Sequence, residues 1–221
     1  MTISAIIPVL NEERSLGTLL DQLSEIDLVA EIIVVDGGST DSTIEIATGK
    51  DKVIVVETVR GRAMQMNSGA EMATSEYLLF LHADSKLSDD LIHELPSMLM
   101  VGKPGAFTLS FDQHHWLYRL YSNFSKLNWS VFTYGDQGLL MPKSLFVKLD
   151  GFKNIPIMED LDLVRRIKLE ADFCKYPAKI ITSSRRFQKN GIVRQQLLNI
   201  IMVMVYYLGV SPQFLSRFYR Y

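Results

Sequence analysis

The chain has 221 residues, of which 48% are hydrophobic and 22% are charged, with 23 basic side chains, 25 acidic side chains and one cysteine. At roughly 100–200 residues per domain, this length and apolar content predict one globular unit and exclude intrinsic disorder. Cys174 alone can form neither an internal disulfide nor a cysteine metal cluster, which excludes a disulfide-stapled secreted scaffold and a zinc finger and predicts a cytoplasmic location.

The first hundred residues alternate short aliphatic runs with helical patterns. The runs have the length of buried strands and cover residues 3–9, 31–36, 53–56 and 77–82. Apolar residues recur at helical spacing over 16–26 and 63–73. This alternation predicts an α/β fold with a mostly parallel sheet covered on both faces, in which a ligand binds at the carboxyl ends of the strands. The first run has no basic residues before it and contains Pro8, so it is interpreted as a strand and not as a signal peptide.

The second half is less regular and richer in aromatic residues. Strands are predicted over 105–111 and 138–141, with one or two more over 173–182. Helices are predicted over 142–149 and 160–171. Residues 113–132 form a further amphipathic pattern in which Leu117, Leu120, Phe124, Leu127 and Val131 fall on one helical face.

Charge is distributed unevenly along the chain. Residues 1–100 carry 6 basic and 17 acidic side chains, and residues 101–221 carry 17 and 8. From residue 173 to 221 there are eight basic residues and no acidic one, so this end is expected to attract anions. Residues 200–210 are an apolar run of eleven, short of the roughly 20 residues that a membrane-spanning helix needs. A membrane-interface segment, a buried core helix and a dimer interface remain open for this tail.

Four motifs stand at the positions where a ligand is expected. They are Pro8-Val9-Leu10-Asn11-Glu12, Asp36-Gly37-Gly38-Ser39-Thr40-Asp41, His82-Ala83-Asp84 and Met158-Glu159-Asp160. In this order, the set resembles the family-2 glycosyltransferases over nearly the whole chain, and Ser183-Ser184-Arg185-Arg186-Phe187 resembles a small bacterial single-domain subgroup, some of whose members are labelled carotenoid-acid glycosyltransferases.

The resemblance implies a GT-A fold, a doubly wound, mostly parallel mixed sheet with a Rossmann-like first half. It implies one domain, with a nucleotide-sugar-binding half over 1–106, an acceptor and catalytic half over 107–190 and a basic, apolar helical tail over 191–221. The implied reaction is an inverting transfer from a UDP-linked sugar to an acceptor hydroxyl or carboxylate, on a lipid or carotenoid-like molecule. Such a transfer needs a carboxylate that binds the nucleobase and a divalent ion, Mn²⁺ or Mg²⁺, that neutralises the diphosphate. It also needs a general base that deprotonates the acceptor hydroxyl.

The resemblance assigns the first motifs to the donor. Asp36 is expected to accept the imide N–H of uracil, although an Asp at this point can equally cap the Gly-Gly-Ser-Thr turn. Pro8, Leu10 and Glu12 are expected beside the nucleotide, while Glu12 also suits the first turn of a helix. Gly61 and Arg62 follow the third strand, where they can meet the base, the sugar or a phosphate or simply begin a helix.

Asp84 is expected to hold the metal. The family pattern is Asp-x-Asp, whereas this chain has His82-Ala83-Asp84 and keeps only the last carboxylate, so metal binding without nucleotide should be weak. Ala83 belongs to the same donor loop. His82 is expected at the ribose, or as a supporting or simply buried histidine.

Asp160 is assigned as the catalytic base, with an ordinary helix cap as the alternative from sequence alone. Asp136 is expected to hold the sugar or acceptor hydroxyls, or to stand in a simple turn. Arg185 and Arg186 are expected to hold the departing diphosphate, or to face solvent or lipid.

Other classes of protein lack their signatures in this sequence. There is no Gly-x-Gly-x-x-Gly after the first strand, no Walker loop, no glycine-rich basic loop of a nucleotidylyltransferase and no nucleic-acid recognition motif. The resemblance implies a sugar donor and an unidentified acceptor as partners, the tail suggests a peripheral membrane surface or a second copy in a homodimer, and no nucleic-acid partner is expected. The alternative is a degenerate nucleotide-sugar-binding or membrane scaffold, suggested by His82, against which the retained Asp36, Asp84 and Asp160 argue.

Overall fold

The computed structural model describes residues 1–133 and 135–218, without the side chain of Phe132. Tyr134 and the end of the predicted tail, Tyr219, Arg220 and Tyr221, lie outside the described residues. The strands of the described part are β1 (Ile3–Val9), β2 (Val29–Asp36), β3 (Val53–Glu57), β4 (Tyr77–Phe80), β5 (Lys86–Leu87), β6 (Gly105–Phe111), β7 (Leu139–Pro142) and β8 (Cys174–Thr182).

The helices are distributed on both sides of these strands. They are α1 (Leu16–Ser24), α2 (Thr43–Thr48), α3 (Arg62–Met72), α4 (Asp89–Val101), α5 (Trp116–Ser125), α6 (Lys143–Lys148), α7 (Glu159–Glu170), α8 (Arg185–Asn190), α9 (Ile192–Tyr207) and α10 (Pro212–Leu215). Short 3₁₀ turns cover Ser130–Phe132 and Gly135–Gln137.

The strands form one sheet in the order β3-β2-β1-β4-β7-β6-β8-β5. The first four strands in this order are mutually parallel, β7 runs antiparallel to both of its neighbours, and β8 is parallel to β6 but antiparallel to β5. The predicted α/β class with a mixed sheet is therefore confirmed. The proposed division at residue 106 falls inside β6 and stays a functional prediction.

The central strands β1, β2 and β4 are buried on both faces of the sheet, which explains why their sequences are mostly aliphatic. Ile3, Ala5 and Ile7 of β1 pack on one side in a cluster that includes residues of α1 and α4. Ile6 faces the other side, where residues of α3, α6 and α7 form a second cluster. Side chains alternate across a strand, so a strand with helices on both faces reads as a continuous aliphatic run.

The structure corrects the prediction of a continuous helix over 113–132. The helix ends at Ser125, and a separate 3₁₀ turn follows at Ser130. Leu120, Phe124 and Leu127 of the predicted apolar face are 47%, 43% and 40% exposed. Tyr118 instead packs inward against Phe111 and Phe187. The sequence analysis also missed α2, α4 and β5, and residues 173–182 contain the single strand β8.

The predicted helical tail consists of α9 and α10, joined to the body at both ends. Ile192 packs against the cluster that contains Tyr118 and Phe187, and Leu215 packs with Ile157 and Met202. Among the residues that the structure describes, no helix has both the length and the apolar character needed to cross a bilayer.

The close packing of α3 on the sheet depends on Gly69. A Cβ atom at this position would lie 2.6 Å from Ile6 Cγ2 and 3.0 Å from Val35 Cγ2. We expect Gly69→Ala to lower the free energy of unfolding by about 1–3 kcal/mol, because overpacking outweighs the better helix propensity of alanine. Urea unfolding followed by circular dichroism measures this change.

Gly17→Ala in α1 is the matched control for this prediction. Its added Cβ would meet Ile46 Cγ2 at an ordinary 3.5 Å. This variant is expected to be neutral or to gain up to about 1 kcal/mol, so equal effects of the two alanines would contradict the packing argument.

Candidate active site

A cavity of about 950 Å³ opens where the carboxyl ends of β1 and β4 approach the starts of α3, α7 and α8. Strand ends of a parallel sheet are the expected place for a ligand. Twelve of the thirteen site residues predicted from sequence line this cavity. They are Pro8, Leu10, Glu12, Gly61, Arg62, His82, Ala83, Asp84, Asp136, Asp160, Arg185 and Arg186.

Asp36 is the predicted residue that does not line the cavity. It is 4% exposed, and its carboxylate accepts hydrogen bonds from the backbone N–H groups of Gly38 at 2.8 Å and Ser39 at 2.9 Å and from the Ser39 hydroxyl. These contacts correspond to the turn-capping alternative. Its contact with uracil stays a prediction.

The loops after β1 and β2 are fastened to each other by side chains. Asn11 adopts a left-handed backbone conformation with φ of 56°, and its side-chain oxygen accepts the Thr40 N–H at 2.8 Å. In return, the Ser39 hydroxyl accepts the Asn11 N–H at 2.9 Å and the Thr43 hydroxyl accepts the Glu12 N–H at 2.8 Å. The motif that begins at Asp36 therefore supports the loop that carries Glu12.

Gln65 was missed by the sequence analysis. This α3 side chain is 5% exposed, and its amide nitrogen donates to the carbonyl oxygens of Val9 at 2.9 Å and Val35 at 2.8 Å. It joins the ends of β1 and β2 at the floor of the cavity that it also lines. The available signal was a polar residue inside the small apolar stripe of α3, between Ala63 and Met66.

His82 and Asp136 form an ion pair inside the cavity, with 3.2 Å between His82 Nδ1 and Asp136 Oδ1. Burial opposes a charge on the His82 ring, but the hydrogen bond and the negative charge of Asp136 raise the pKa of His82 overall. Withdrawal of Asp136 from bulk water acts against its ionisation. The hydrogen bond and charge of His82, followed by Arg62 and Arg186, nevertheless lower its pKa to about 2. The pair thus links the loop after β4 to the 135–137 turn.

Asp84 lines the cavity beside Arg185, an arginine that it shares with Glu12. Arg185 Nη2 lies 3.1 Å from a carboxylate oxygen of Glu12 and 3.8 Å from one of Asp84. Burial raises the pKa of Asp84, and the carboxylates of Asp136 and Glu12 add to this effect against the charges of His82 and Arg185. A further cation beside Asp84 would relieve this repulsion.

The residues present could bind a divalent cation only together with oxygen ligands supplied by a substrate. The described part of the chain has no group of three or more His, Cys, Asp or Glu side chains arranged to hold a metal. One Asp carboxylate together with substrate oxygens and water is a chemically suitable donor set for Mg²⁺ or Mn²⁺.

Arg62 is anchored by a buried carboxylate that the sequence analysis did not assign. Its Nε donates to Glu159 Oε1, and Glu159 is 1% exposed. Burial raises the pKa of Glu159, with Arg62 acting in the opposite direction. Met158, just before this residue, has φ of 67°, and this conformation turns the chain into α7. The signal for this pairing was the acidic doublet at the start of α7.

Asp160 is held against the 135–137 turn. Its Oδ2 accepts the Gly135 N–H at 2.5 Å, and its Oδ1 accepts the Leu161 N–H at 2.8 Å. A Cβ at Gly135 would lie 3.0 Å from His82 Nε2 and 3.1 Å from Asp160 Oδ2. Glycine at this position lets His82, Asp136 and Asp160 gather around one turn.

The opposite wall of the cavity is mostly apolar. It is formed by the loop before α7, by the inward face of α9 and by Tyr121 of α5, with Asn154 and Asn199 as its polar members. The apolar side chains of this wall are Tyr121, Ile155, Pro156, Ile157, Met158, Met202 and Val203. One cavity therefore has a charged side at the strand ends and an apolar side at the C-terminal helices.

This geometry can be compared with known proteins. Residues 4–152, more than half of the chain, match the profile described as Glycosyl transferase family 2. The chain belongs to this family. The prediction of the family from the four motifs is thereby confirmed.

Curated relatives of this family-2 chain carry names of glycosyltransferases. The PGL/p-HBAD biosynthesis glycosyltransferase of Mycobacterium tuberculosis strain H37Ra is 40% identical over 91 residues, covering 38% of this chain and 36% of the relative. The 4,4'-diaponeurosporenoate glycosyltransferase of Staphylococcus haemolyticus is 32% identical over 135 residues, covering 57% of this chain and 36% of the relative. The aligned part therefore spans only about a third of each relative.

Solved structures share the fold over most of the chain. S. aureus TarS 1–349 superimposes with a TM-score of 0.69 at 17% identity, covering 97% of this chain and 68% of TarS 1–349. The same protein in complex with UDP-GlcNAc gives a TM-score of 0.66 at 17% identity, covering 83% of this chain and 58% of that one. These likenesses establish the predicted GT-A fold.

Lys175 contacts Thr133, before the 135–137 turn, and Gln137, at its end, and its titration can be tested by measuring stability as a function of pH. Its Nζ donates to Gln137 Oε1 and lies 3.3 Å from the Thr133 hydroxyl oxygen. Burial, followed by the charge of Lys168, lowers the pKa of Lys175 to about 7 from its ordinary value of 10.5. Between these values the unfolded chain holds a proton that the folded chain has released, so the stability contributed by this group rises with pH.

Lys175→Met removes this titration. We expect the free energy of unfolding of the native protein, relative to the variant, to increase from pH 7 to pH 9 by at most about 1.4 kcal/mol per pH unit. Urea unfolding at successive pH values measures it, with Lys179→Met, an exposed lysine of the same strand, as the matched control. A difference that is flat or falls with pH would contradict the buried-amine assignment.

Proposed function

We propose that this family-2 protein is a glycosyltransferase that moves a sugar, with inversion, from a UDP-linked donor to a hydroxyl or carboxylate of an apolar acceptor. The observation that carries the proposal is the combination in one cavity of a fixed carboxylate, Asp160, with a charged wall and an apolar wall. This arrangement provides a general base between a site for a diphosphate and a site for a hydrophobic molecule.

The charged wall is proposed to bind the donor. Arg62, Arg185 and Arg186 line the cavity near the ends of β1 and β4, and guanidinium groups bind phosphate oxygens with two parallel hydrogen bonds. The TarS structures in complex with UDP and with UDP-GlcNAc support a uridine nucleotide for this fold position. Arg185 would have to leave Glu12 and Asp84, or to turn from them, to meet the diphosphate.

Asp84 is proposed to hold Mn²⁺ or Mg²⁺ jointly with the diphosphate of the donor. Such an ion supplies charge neutralisation for the leaving diphosphate. Because the chain offers this one carboxylate in place of the family's Asp-x-Asp pair, metal affinity in the absence of nucleotide is expected to be low.

Asp160 is proposed to take the acceptor proton. The acceptor oxygen attacks the anomeric carbon on the face opposite the diphosphate, the new carbon–oxygen bond forms, and the bond to the diphosphate breaks with its electron pair leaving on phosphate oxygen. An acceptor hydroxyl transfers its proton to a carboxylate oxygen of Asp160, whereas an ionised carboxylate acceptor needs no base. The Gly135 N–H fixes the rotamer of Asp160, so that little reorientation is required during the reaction.

The apolar wall is proposed to bind the acceptor. Ile155, Ile157, Met202 and Val203 would contact a hydrocarbon part of that molecule. The name of the Staphylococcus haemolyticus relative, which specifies a 4,4'-diaponeurosporenoate acceptor, supports a lipid or carotenoid-like class. The cytoplasm is the proposed location of the reaction.

Donor binding is tested by calorimetric titration with UDP and with GDP, each with Mn²⁺, with Mg²⁺ and with a chelator. We expect UDP to bind more tightly than GDP and only in the presence of metal, and we expect Asp84→Asn to abolish this metal-dependent binding. Asp89→Asn, an acidic residue at the start of α4 outside the cavity, is the control. If neither nucleotide bound under any metal condition, the degenerate scaffold, in which Arg185 permanently occupies the position beside Asp84, would replace the transferase.

The base is tested by Asp160→Asn. This variant is expected to lose transfer to a hydroxyl acceptor by about 10²-fold or more while UDP binding stays within a factor of about two, because the amide cannot accept the proton. Asp162→Asn in the same helix is the control, since Asp162 pairs with Lys153 and Arg166 outside the cavity. Equal losses of transfer in both variants would show that the effect is structural.

A further inference from the structure

Helix α9 presents an apolar face to solvent and a partly polar face to the protein. The outward residues recur at intervals of three and four and are between 42% and 80% exposed. They are Val193, Leu197, Ile200, Ile201 and Met204 of α9, with Leu208 directly after it. On the inward face, Gln195 is 2% exposed, and its amide nitrogen donates to the side-chain oxygen of Asn199. We call the six outward residues the α9 stripe.

This polarity is the reverse of that expected for a surface helix in water. A helix on a globular protein normally turns its apolar stripe to the core and its polar residues to solvent. Scattered exposed apolar residues are common, but a contiguous stripe marks a surface that another phase or molecule covers. We therefore expect another molecule or phase to cover the α9 stripe.

Charge around the stripe identifies the occupant as anionic. Arg194 lies at the edge of the stripe and is exposed, as are Lys189 before α9 and Arg217 after it. No acidic residue occurs in the sequence from residue 173 to 221. A second copy meeting the stripe by a twofold axis would bring these like charges together, whereas a membrane surface containing anionic lipids complements them.

Aromatic residues in other segments of the same chain are also exposed. Tyr207 at the end of α9 is hydrogen-bonded to the side chain of Ser130, and Trp129 beside Ser130 is 64% exposed. Phe214 of α10 and Phe218, which follow the same end of α9 in the sequence, are exposed and their rings lie 5.3 Å apart. Amphipathic aromatic rings and arginines with apolar stems suit the boundary between headgroups and acyl chains.

The α9 stripe lies on the helix that forms the apolar wall of the cavity. Asn199, Met202 and Val203 line the cavity, and they occupy the face of α9 opposite the stripe. A membrane that covers the stripe would therefore lie one helix diameter, about 10 Å, from the cavity wall.

We propose that the α9 stripe lies in the interface of a membrane that contains anionic lipids, with Arg194, Lys189 and Arg217 at the headgroups. This attachment holds α9 parallel to the surface as an amphipathic helix and does not cross the bilayer. Its use, to bring an apolar acceptor from the membrane to the cavity, rests on the proposed function. The attachment itself does not.

The test measures co-sedimentation of the purified chain with vesicles of phosphatidylcholine, with and without phosphatidylglycerol. The chain is expected to bind the vesicles that contain phosphatidylglycerol, and salt is expected to weaken this binding. A variant that combines Leu197→Gln, Ile201→Gln and Met204→Gln is expected to bind at least about tenfold less, because it removes apolar area from the interface. Combined Arg194→Gln and Arg217→Gln should weaken binding to anionic vesicles and reduce its dependence on salt.

The matched control places three equivalent changes on exposed apolar residues elsewhere. Met100, Val147 and Leu169 are 79%, 65% and 78% exposed on α4, α6 and α7, so their combined replacement by glutamine should leave vesicle binding unchanged. Thermal unfolding midpoints of all variants show whether each is folded. Titration with UDP runs in parallel, so a chain that binds vesicles but not UDP would overturn the proposed function and leave the membrane attachment standing.

Two results would overturn the membrane proposal. One is the absence of vesicle binding by the native chain, or equal binding by the native and α9-stripe variants. The other is a concentration-dependent dimer in sedimentation equilibrium that the α9-stripe variant abolishes while vesicle binding persists, which would assign the stripe to a second copy.

Discussion

The repulsion among carboxylates gathered at one end of the sheet is the constraint on which the site depends. Glu12, Asp84, Asp136 and Asp160 all line the same cavity, Glu12 and Asp84 from loops after parallel strands, Asp136 from the 135–137 turn and Asp160 from the start of α7. Glu12 and Asp84 share Arg185, Asp136 is paired with His82, and Asp160 accepts the Gly135 N–H. Burial, with the charges of Asp136 and Glu12, still raises the pKa of Asp84.

Other residues position the segments that carry these carboxylates. Gln65 fastens the strand ends from which the loops leave, and Gly69 lets α3 approach closely enough for Gln65 to reach both carbonyls. Glu159 is buried and orients Arg62 toward the charged cavity. Gly135 brings His82, Asp136 and Asp160 around one turn, since a Cβ would crowd both neighbours. These residues are less conspicuous in the sequence than the acidic motifs that they support.

The fold and most site positions were predictable because each depends on local signals. Aliphatic runs covered on both faces, such as β1, are recognisable by composition, and turn-forming acidic motifs after them mark the strand ends. The pairing of His82 with Asp136 was not predictable, because it joins residues 54 positions apart through the tertiary fold. The turn cap made by Asp36 was among the stated alternatives, and only the geometry of its loop favours it in this conformation.

The helical spacing of apolar residues predicts that a helix has an apolar face. It does not predict whether that face packs against the protein or against something else. Leu120 and Phe124 were correctly predicted to be helical, whereas Leu127 lies beyond the end of α5, and all three side chains are exposed while Tyr118 packs inward. On α9 the same ambiguity is sharper, since the stripe of aliphatic residues faces away from the protein. An apolar face indicates burial against something, and the sequence alone does not distinguish a protein core from a lipid phase.

The two faces of α9 also separate two properties of the proposed enzyme. Met202 and Val203 contribute to the cavity wall, while Leu197 and Ile201 lie on the outward face. Side chains on opposite faces of a helix do not touch, so a substitution on the stripe changes the surface without reshaping the cavity. Attachment to a membrane and selection of an acceptor can therefore vary independently, although both depend on one helix. Their common backbone fixes the distance between them, because a helix that packs through Ile192 at its start and Met202 near its end cannot move one face without the other.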